Sequence, residues 1–231
     1  MQKYNFIDLF AGCGGLSLGL VNAGFEGLFA IEKTEDAFKT LKHNLCDKKK
    51  SFLWPDWLPC QQMTTNELLE NYKEELKSLE NKVFLIAGGP PCQGFSFAGL
   101  RNPNDPRNRL TEEYIKIVSI IKPKMLLLEN VRGFQVAFRE TAKEPYSEKV
   151  TRLLDKKGYK VFKNMISAAE FGVPQLRHRF IMVAIRKDCL SKNLKKYSDN
   201  DILNLILQQA TQQKREWGLK SVTVGDAISD L

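Results

Sequence analysis

A chain of 231 residues, 43% hydrophobic and 27% charged, is long enough for one α/β domain with a sizeable core. No apolar run approaches the ~20 residues of a membrane helix, so no membrane partner is expected, and the opening MQKYNFIDLF lacks a signal-peptide layout. The formal net charge of +8 fits a polyanionic partner, or equally a generally basic soluble protein.

Residues 4–10, YNFIDLF, read as a buried strand. AGCGGLSLGLVNAGF follows, with helical spacing at Leu16, Leu18, Leu20 and Val21. Ala11 to Gly15 thus form a Gly-rich turn between strand and helix, where backbone can approach a ligand at the helix N-terminus. Gly12 and Gly14 are in place, but Ser17 stands where GxGxxG needs its third glycine, so the dinucleotide fingerprint is incomplete. A second strand, about 27–31, ends at Glu32. An acid there is placed to accept from ribose hydroxyls. Glu32, Glu35 and Asp36 would also suit the dipole of a following helix, expected over about 35–45.

Asp47 to Lys50 reads as a solvated turn, and WPDWLP, 54–59, as a loop packed by its tryptophans. A polar helix over 67–79 turns Leu68, Leu69, Tyr72 and Leu76 inward. Val83 to Ala87 is a buried strand, and GGPPCQGFS, 88–96, follows it. Gly88 and Gly89 free the backbone, and Pro90 and Pro91 stiffen it, so Cys92 arrives with little backbone freedom left. Such a loop can hold a nucleophile, or can be a turn beside an inert buried thiol.

Residues 99–109, GLRNPNDPRNR, form a surface loop, either closing over a site or a connection without a role. Its Arg and Asn side chains suit phosphate contacts. A helix over 111–121 turns Tyr114, Ile117, Val118 and Ile121 inward. The strand 124–128 then ends in Glu129, Asn130 and Val131. In an open parallel sheet, ligands sit beyond the carboxyl ends of the strands. Asp8 to Gly15, Glu32, Cys92 and Glu129 are therefore predicted to converge on one edge.

A helix over 146–157 and strands at 159–166 and 180–185 complete the pattern. Gln175, Arg177 and Arg179 alternate before the last strand, and period two puts both arginines on one side. That pair suits a phosphate or a base carbonyl, or else is surface charge on an edge strand. Residues 187–220 are polar and Lys-rich, with one helix expected at 199–214. The five cysteines, at 13, 46, 60, 92 and 189, have no CxxC spacing, and His43 and His178 are the only histidines. No metal site is expected, and a reduced, cytoplasmic setting fits.

DLFAGCGG at 8–15, GGPPCQGFS at 88–96, ENV at 129–131 and QLRHR at 175–179 share their order and spacing with a known set of motifs. Over nearly all its length the chain resembles the cytosine-carbon-5 DNA methyltransferases of bacterial restriction–modification systems. The resemblance implies an α/β fold with a doubly wound, mostly parallel sheet of the S-adenosylmethionine-dependent, Rossmann-like type. It implies one catalytic domain over 1–231, with S-adenosylmethionine as cofactor and a flipped cytosine in double-stranded DNA as substrate. By that resemblance Phe10 packs on the adenine, Gly12 and Gly14 line the methionine end with Ala11 and Gly15 beside them, and Glu32 holds the ribose. Pro90 and Leu110 line the same pocket. Cys92 is the nucleophile that adds to carbon 6. Glu129 stabilises charge on ring nitrogen 3, Arg179 bonds the carbonyl oxygen, and Arg177 holds the site or the backbone. Pro91, Asn130, Val131 and Gln175 complete the base side.

The chain departs from the family pattern in two places. Where the family carries an acid that bonds the adenine amine, this chain reads CQQMTTNELL, with Thr64 or Thr65 as counterpart and weaker cofactor binding expected. The chain also stops at GDAISDL, where the family continues into a target-recognition domain and a closing motif. A truncated product, or one subunit of a split enzyme needing a second polypeptide, is the expectation. The alternative is a catalytically inactive cofactor- or DNA-binding subunit.

Overall fold

The computed structural model describes residues 4–91, 109–137, 144–191, 199–216 and 223–229. In chain order the elements are β1 (Asn5–Leu9), α1 (Gly15–Asn22), β2 (Glu26–Ile31), α2 (Glu35–Leu41), a π-helical stretch (Lys42–Lys48), α3 (Thr65–Asn71), α4 (Lys73–Ser78), β3 (Leu85–Gly88), α5 (Arg109–Ile121), β4 (Met125–Asn130), α6 (Tyr146–Lys156), β5 (Tyr159–Ser167), β6 (His178–Arg186), α7 (Asp199–Glu216) and α8 (Val224–Ile228). The sheet order is β2-β1-β3-β4-β6-β5. The first four strands pair in parallel, β6 lies antiparallel to β4, and β5 lies antiparallel to β6. Among the six strands β6 alone runs against the rest.

The near-continuous apolar strands follow from burial on both faces. Ile7, Leu9, Phe29, Ile31, Ile86, Leu126 and Leu128 form one face, packed with Leu68 of α3, Leu76 of α4, Ile117 of α5 and Leu154 of α6. Phe6, Ala30, Leu85 and Ala87 form the other, with Leu20 of α1, Leu41 of α2 and Leu45 of the π-helical stretch. Tyr114 of α5 crosses the first face and donates its buried hydroxyl to the Ile86 carbonyl at 2.9 Å. Its ring leaves no space at Gly88, where an added Cβ would lie 2.6 Å from the Leu9 carbonyl oxygen and 3.1 Å from the Tyr114 ring. Among the described residues no helix is long and apolar enough to cross a membrane.

Two helices differ from expectation. The helix over 35–45 is α-helical only to Leu41 and continues as π-helix to Lys48. The Asn44 side chain takes the Thr40 carbonyl, the acceptor an α-helix would give to the Asn44 amide. The helix over 67–79 starts earlier, at Thr65, and breaks at Tyr72, whose backbone leaves the helical region (φ −129°). The Tyr72 ring packs against Trp57, centroids 5.9 Å apart.

Asp8 in β1 is fully buried against α1. Ser17 donates its hydroxyl to Asp8 Oδ2 at 2.6 Å, and its backbone amide bonds the same carboxyl. Ser17 lies in the first turn of α1, whose amides have no helical acceptor and whose N-cap, Gly14, has no capping side chain. A carboxyl from β1 supplies that cap from beneath, which explains a serine at the place of the third glycine. Asp8 Oδ1 has no hydrogen-bond partner among the described residues. Burial pushes the Asp8 carboxyl up to about 6, against the Ser17 hydrogen bonds, and the nearby Glu32 charge acts in the same direction as burial.

A carboxyl that titrates near 6 when folded, against the usual 3.8, binds its proton more tightly in the folded chain. Its ionisation removes stability as pH rises from about 4 to about 6, by about 3 kcal/mol in total. Asp8→Asn should delete that term. In urea unfolding, the stability of the wild type relative to Asp8→Asn is expected to fall by about 2 kcal/mol between pH 4.5 and pH 7. A difference independent of pH would refute it.

Candidate active site

The parallel register sets Leu9 opposite Ile31 and Gly88, and Gly88 opposite Leu128. The next residue of each strand, Phe10, Glu32, Gly89 and Glu129, therefore stands at one level of the carboxyl edge. Because β1 lies between β2 and β3, the chain leaves β1 toward one face while β3 is entered from the other. A crevice opens at such a switch point.

On the β1–β2 side lies a partly open, mostly apolar pocket. Phe10, Glu32, Thr64 and Leu110 line it, as do Pro91, Met63 and Thr65. Phe10 is half-buried in the left-handed region (φ 63°), an unusual conformation for a residue with a Cβ. It turns the chain off the sheet and leaves the ring on the cavity wall. Behind it the Ala11 amide donates to the Ile31 carbonyl, and the Gly14 amide to the Ala11 carbonyl, each at 3.0 Å. Gly14 is left-handed (φ +88°), and an added Cβ would lie 3.0 Å from Leu45 Cδ1 and 3.1 Å from Leu41 Cγ. Shape and backbone angle both demand glycine there.

Glu32 is half-buried, and its carboxylate clasps the loop. Oε2 accepts from the Gly12 amide at 2.9 Å and Oε1 from the Thr34 amide at 2.8 Å. A carboxylate has about four acceptor positions, so it keeps capacity for two more donors. The two threonines differ. Thr64 is the N-cap of α3, and its hydroxyl is committed in both senses: it donates to Glu67 Oε2 at 2.8 Å and accepts from the Glu67 amide at 3.1 Å. Thr65 is buried and donates its hydroxyl proton to Glu113 of α5. A carboxylate only accepts, so the Thr65 oxygen keeps only lone pairs for any other partner. Glu113 carried no signal in the sequence beyond being one acid in the first turns of a helix.

On the β4–β6 side Glu129 pairs with Arg179, Nε to Oε1 at 2.7 Å, both partly exposed. Glu129 faces Ile181 across the ladder, so Arg179 is its diagonal neighbour on the same face. Gly89 stands beside them, and an added Cβ there would lie 3.3 Å from Glu129 Oε2. Asn130 is buried; its Nδ2 donates to the Pro90 carbonyl at 3.3 Å, and its Oδ1 accepts from the Val131 amide at 2.7 Å. Asn130 thereby ties the Pro90 segment to the end of β4. Val131 is partly buried against the core.

Three placements depart from expectation. Pro91, assigned to the base side, is on the wall of the β1–β2 cavity, whereas Pro90 is buried and turned to Asn130. Arg177 and Arg179 are placed differently: β6 begins at His178, so Arg177 lies outside the strand and is exposed. Gln175 is also exposed; its carbonyl accepts from the Arg177 amide at 2.9 Å in the bend before β6. Cys92 and the loop through 108 lie outside the described residues.

A family model for the C-5 cytosine-specific DNA methylase matches residues 4–230. The chain is 37% identical over 190 residues to the Type II methyltransferase M1.HphI of Haemophilus parahaemolyticus, covering 81% of this chain and 47% of that protein. It is 35% identical over 191 residues to the Type II methyltransferase M.AquIA of a Picosynechococcus strain, covering 80% of this chain and 73% of that protein. Among solved structures, a candidate DNA modification methyltransferase encoded within an E. coli prophage superposes with a TM-score of 0.63 at 29% identity, over 83% of this chain and 50% of the other. The S. pombe Dnmt2 methyltransferase shares the fold, with a TM-score of 0.62 at 18% identity, over 88% of this chain and 54% of the other. The chain spans about half the length of several curated relatives it matches. With its fold, its edge of strand ends and a match over almost all its residues, the chain belongs to the C-5 cytosine-specific DNA methylase family.

Proposed function

We propose that this chain is the catalytic part of an enzyme that binds S-adenosylmethionine and methylates carbon 5 of a flipped cytosine in double-stranded DNA through a covalent Cys92 adduct. One observation carries the reading. The pocket lined by Phe10 and Glu32 and the Glu129–Arg179 pair stand at one level of the sheet edge, on either side of Gly89 to Pro91, which lead directly to Cys92.

The residues present fit the cofactor. When bound, S-adenosylmethionine supplies an electrophilic methyl group on sulfur. The Phe10 ring offers a flat apolar surface for the base, and the free acceptor positions of Glu32 suit ribose hydroxyls. The backbone of Ala11 to Gly15 at the start of α1 suits the methionine end. Thr65, with its proton committed to Glu113, presents an acceptor to the exocyclic amine of adenine.

On the substrate side, Cys92 as thiolate adds to carbon 6, and the electron pair of the 5,6 double bond moves toward carbon 5. Glu129, held by Arg179, shares a proton with ring nitrogen 3 and accepts from the exocyclic amine, which offsets the negative charge that builds on the ring during that addition. Arg179 keeps further guanidinium donors for the base carbonyl oxygen. Carbon 5 takes the methyl group. Loss of its proton and departure of the Cys92 thiolate then restore the ring, with one methyl gained and one proton lost. Extruding the base costs a few kcal/mol, least where the duplex is already weakened.

Radiolabelled methyl transfer from S-adenosylmethionine to mixed-sequence DNA by the full-length protein tests the assignment. Methyl transfer to cytosine is expected; no transfer would support the inactive binding subunit instead. Cys92→Ala is expected to abolish transfer and leave cofactor affinity nearly unchanged, and turnover in that variant would overturn the covalent route. Thr65→Val and Glu113→Gln are expected to narrow the preference for S-adenosylhomocysteine over its inosine analogue by roughly tenfold, one hydrogen bond's worth. Equal weakening of both ligands would reduce the Thr65–Glu113 contact to helix packing.

A further inference from the structure

The loop that joins β5 to β6 carries apolar side chains that the proposed chemistry does not use. β5 runs parallel to β4, because β6 is antiparallel to both, so residues 168–177 turn over at the carboxyl edge that carries Glu129. The loop is held by its own backbone. The Ala168 amide donates to the Arg177 carbonyl at 2.9 Å, one step beyond the Ser167–His178 pair, and the Val173 amide to the Ala168 carbonyl at 3.3 Å. Two tight turns follow each other. The Gln175 amide donates to the Val173 carbonyl at 2.7 Å across Pro174, and the Arg177 amide to the Gln175 carbonyl at 2.9 Å across Leu176. Leu176 thus stands at the apex of a fixed turn, and it is 85% exposed. Phe171 and Val173 are exposed as well. One exposed leucine is ordinary on a protein surface. Three exposed apolar side chains between Phe171 and Leu176, on a pinned loop at the edge of a site, mark a contact surface.

We propose that Leu176 is an apolar wedge that enters the DNA duplex beside the extruded cytosine. The inference rests on the flipped-cytosine reading above. Leu176 precedes Arg179 by three residues, so chain geometry alone keeps their Cα atoms within about 11 Å. An extruded base stays joined to its backbone. A cytosine seated at Glu129 and Arg179 therefore brings the opened base step to the rim of this edge, where Leu176 stands.

The charge around the wedge fits a polyanion. VPQLRHR, 173–179, holds two arginines and a histidine and no acid. Arg177 and His178 are exposed, and so is Arg132, in the turn that follows β4. Cations on the phosphates hold the strand, while an apolar side chain takes the stacking space that the base has left. Removing the Leu176 side chain from water offsets part of the unstacking cost. A leucine side chain has no donor or acceptor with which to read the bases it meets, so the wedge acts on extrusion and not on the choice of sequence.

The test follows the full-length protein on duplexes that carry a site it methylates, with the target cytosine either paired to guanine or set opposite an abasic position. Leu176→Ala is expected to slow single-turnover methylation of the paired duplex about tenfold, and that of the abasic duplex far less, because there the base leaves without breaking a pair. Leu176→Met should restore the paired rate. A fluorescent purine analogue at the target position reads extrusion without methyl transfer. Its emission should rise with the wild type and with Leu176→Met, and much less with Leu176→Ala. Equal slowing on both duplexes would overturn the wedge and assign the loop to packing within the protein. An unchanged emission rise in Leu176→Ala would overturn it as well. A wild type that methylates neither duplex and extrudes no base would instead overturn the flipped-cytosine reading, and the wedge with it.

Discussion

Four parallel strands ending in step set the chemistry of this molecule. Because Leu9 is opposite Ile31 and Gly88, and Gly88 opposite Leu128, the residues that follow them share one level. Parallel hydrogen bonding is evenly spaced, so a slip of one residue would turn every neighbouring side chain to the other face. The two buried faces are filled by different side chains, Ile7 and Leu9 on one and Phe6 on the other, so a slip would mismatch the packing of both. Core packing thus sets the relative height of an aromatic ring, two carboxylates and the strand end that leads to the thiol.

The glycine-rich loop is held from beneath by acids. Asp8 caps the first turn of α1 through Ser17, and Glu32 clasps the Gly12 and Thr34 amides. A fully buried carboxyl with one oxygen unpartnered opposes folding once ionised. Its position under the loop shows where stability is given up to keep a backbone turn in place. Gly14, caught between Leu41 and Leu45, carries the same constraint into the hydrophobic core.

The edge also divides labour between neighbours of similar type. Thr64 is spent on the cap of α3, while Thr65 is polarised by Glu113. Pro91 forms cavity wall, while Pro90 is tied by Asn130 to the end of β4. Arg179 reaches Glu129, while Arg177 stays in solvent. Each choice turns on one residue of offset, which decides whether a side chain meets the sheet edge, a helix cap or water.

The amino-acid sequence by itself determined the strands, the order of the motifs and the convergence of the Asp8–Gly15 segment, Glu32 and Glu129 on one edge. Those features follow from local apolar runs, glycines and prolines, whose effects act within a few residues. The tertiary structure alone decided which of two adjacent threonines, prolines or alternating arginines faces the site. It alone revealed Glu113 behind Thr65, 48 residues away in the chain. It also replaced the end of one helix with a π-helical stretch and split another at Tyr72. These contacts depend on how far each helix turns before it packs. Hydrophobic periodicity gives the inner face of an element, but neither its end nor the partner across from it.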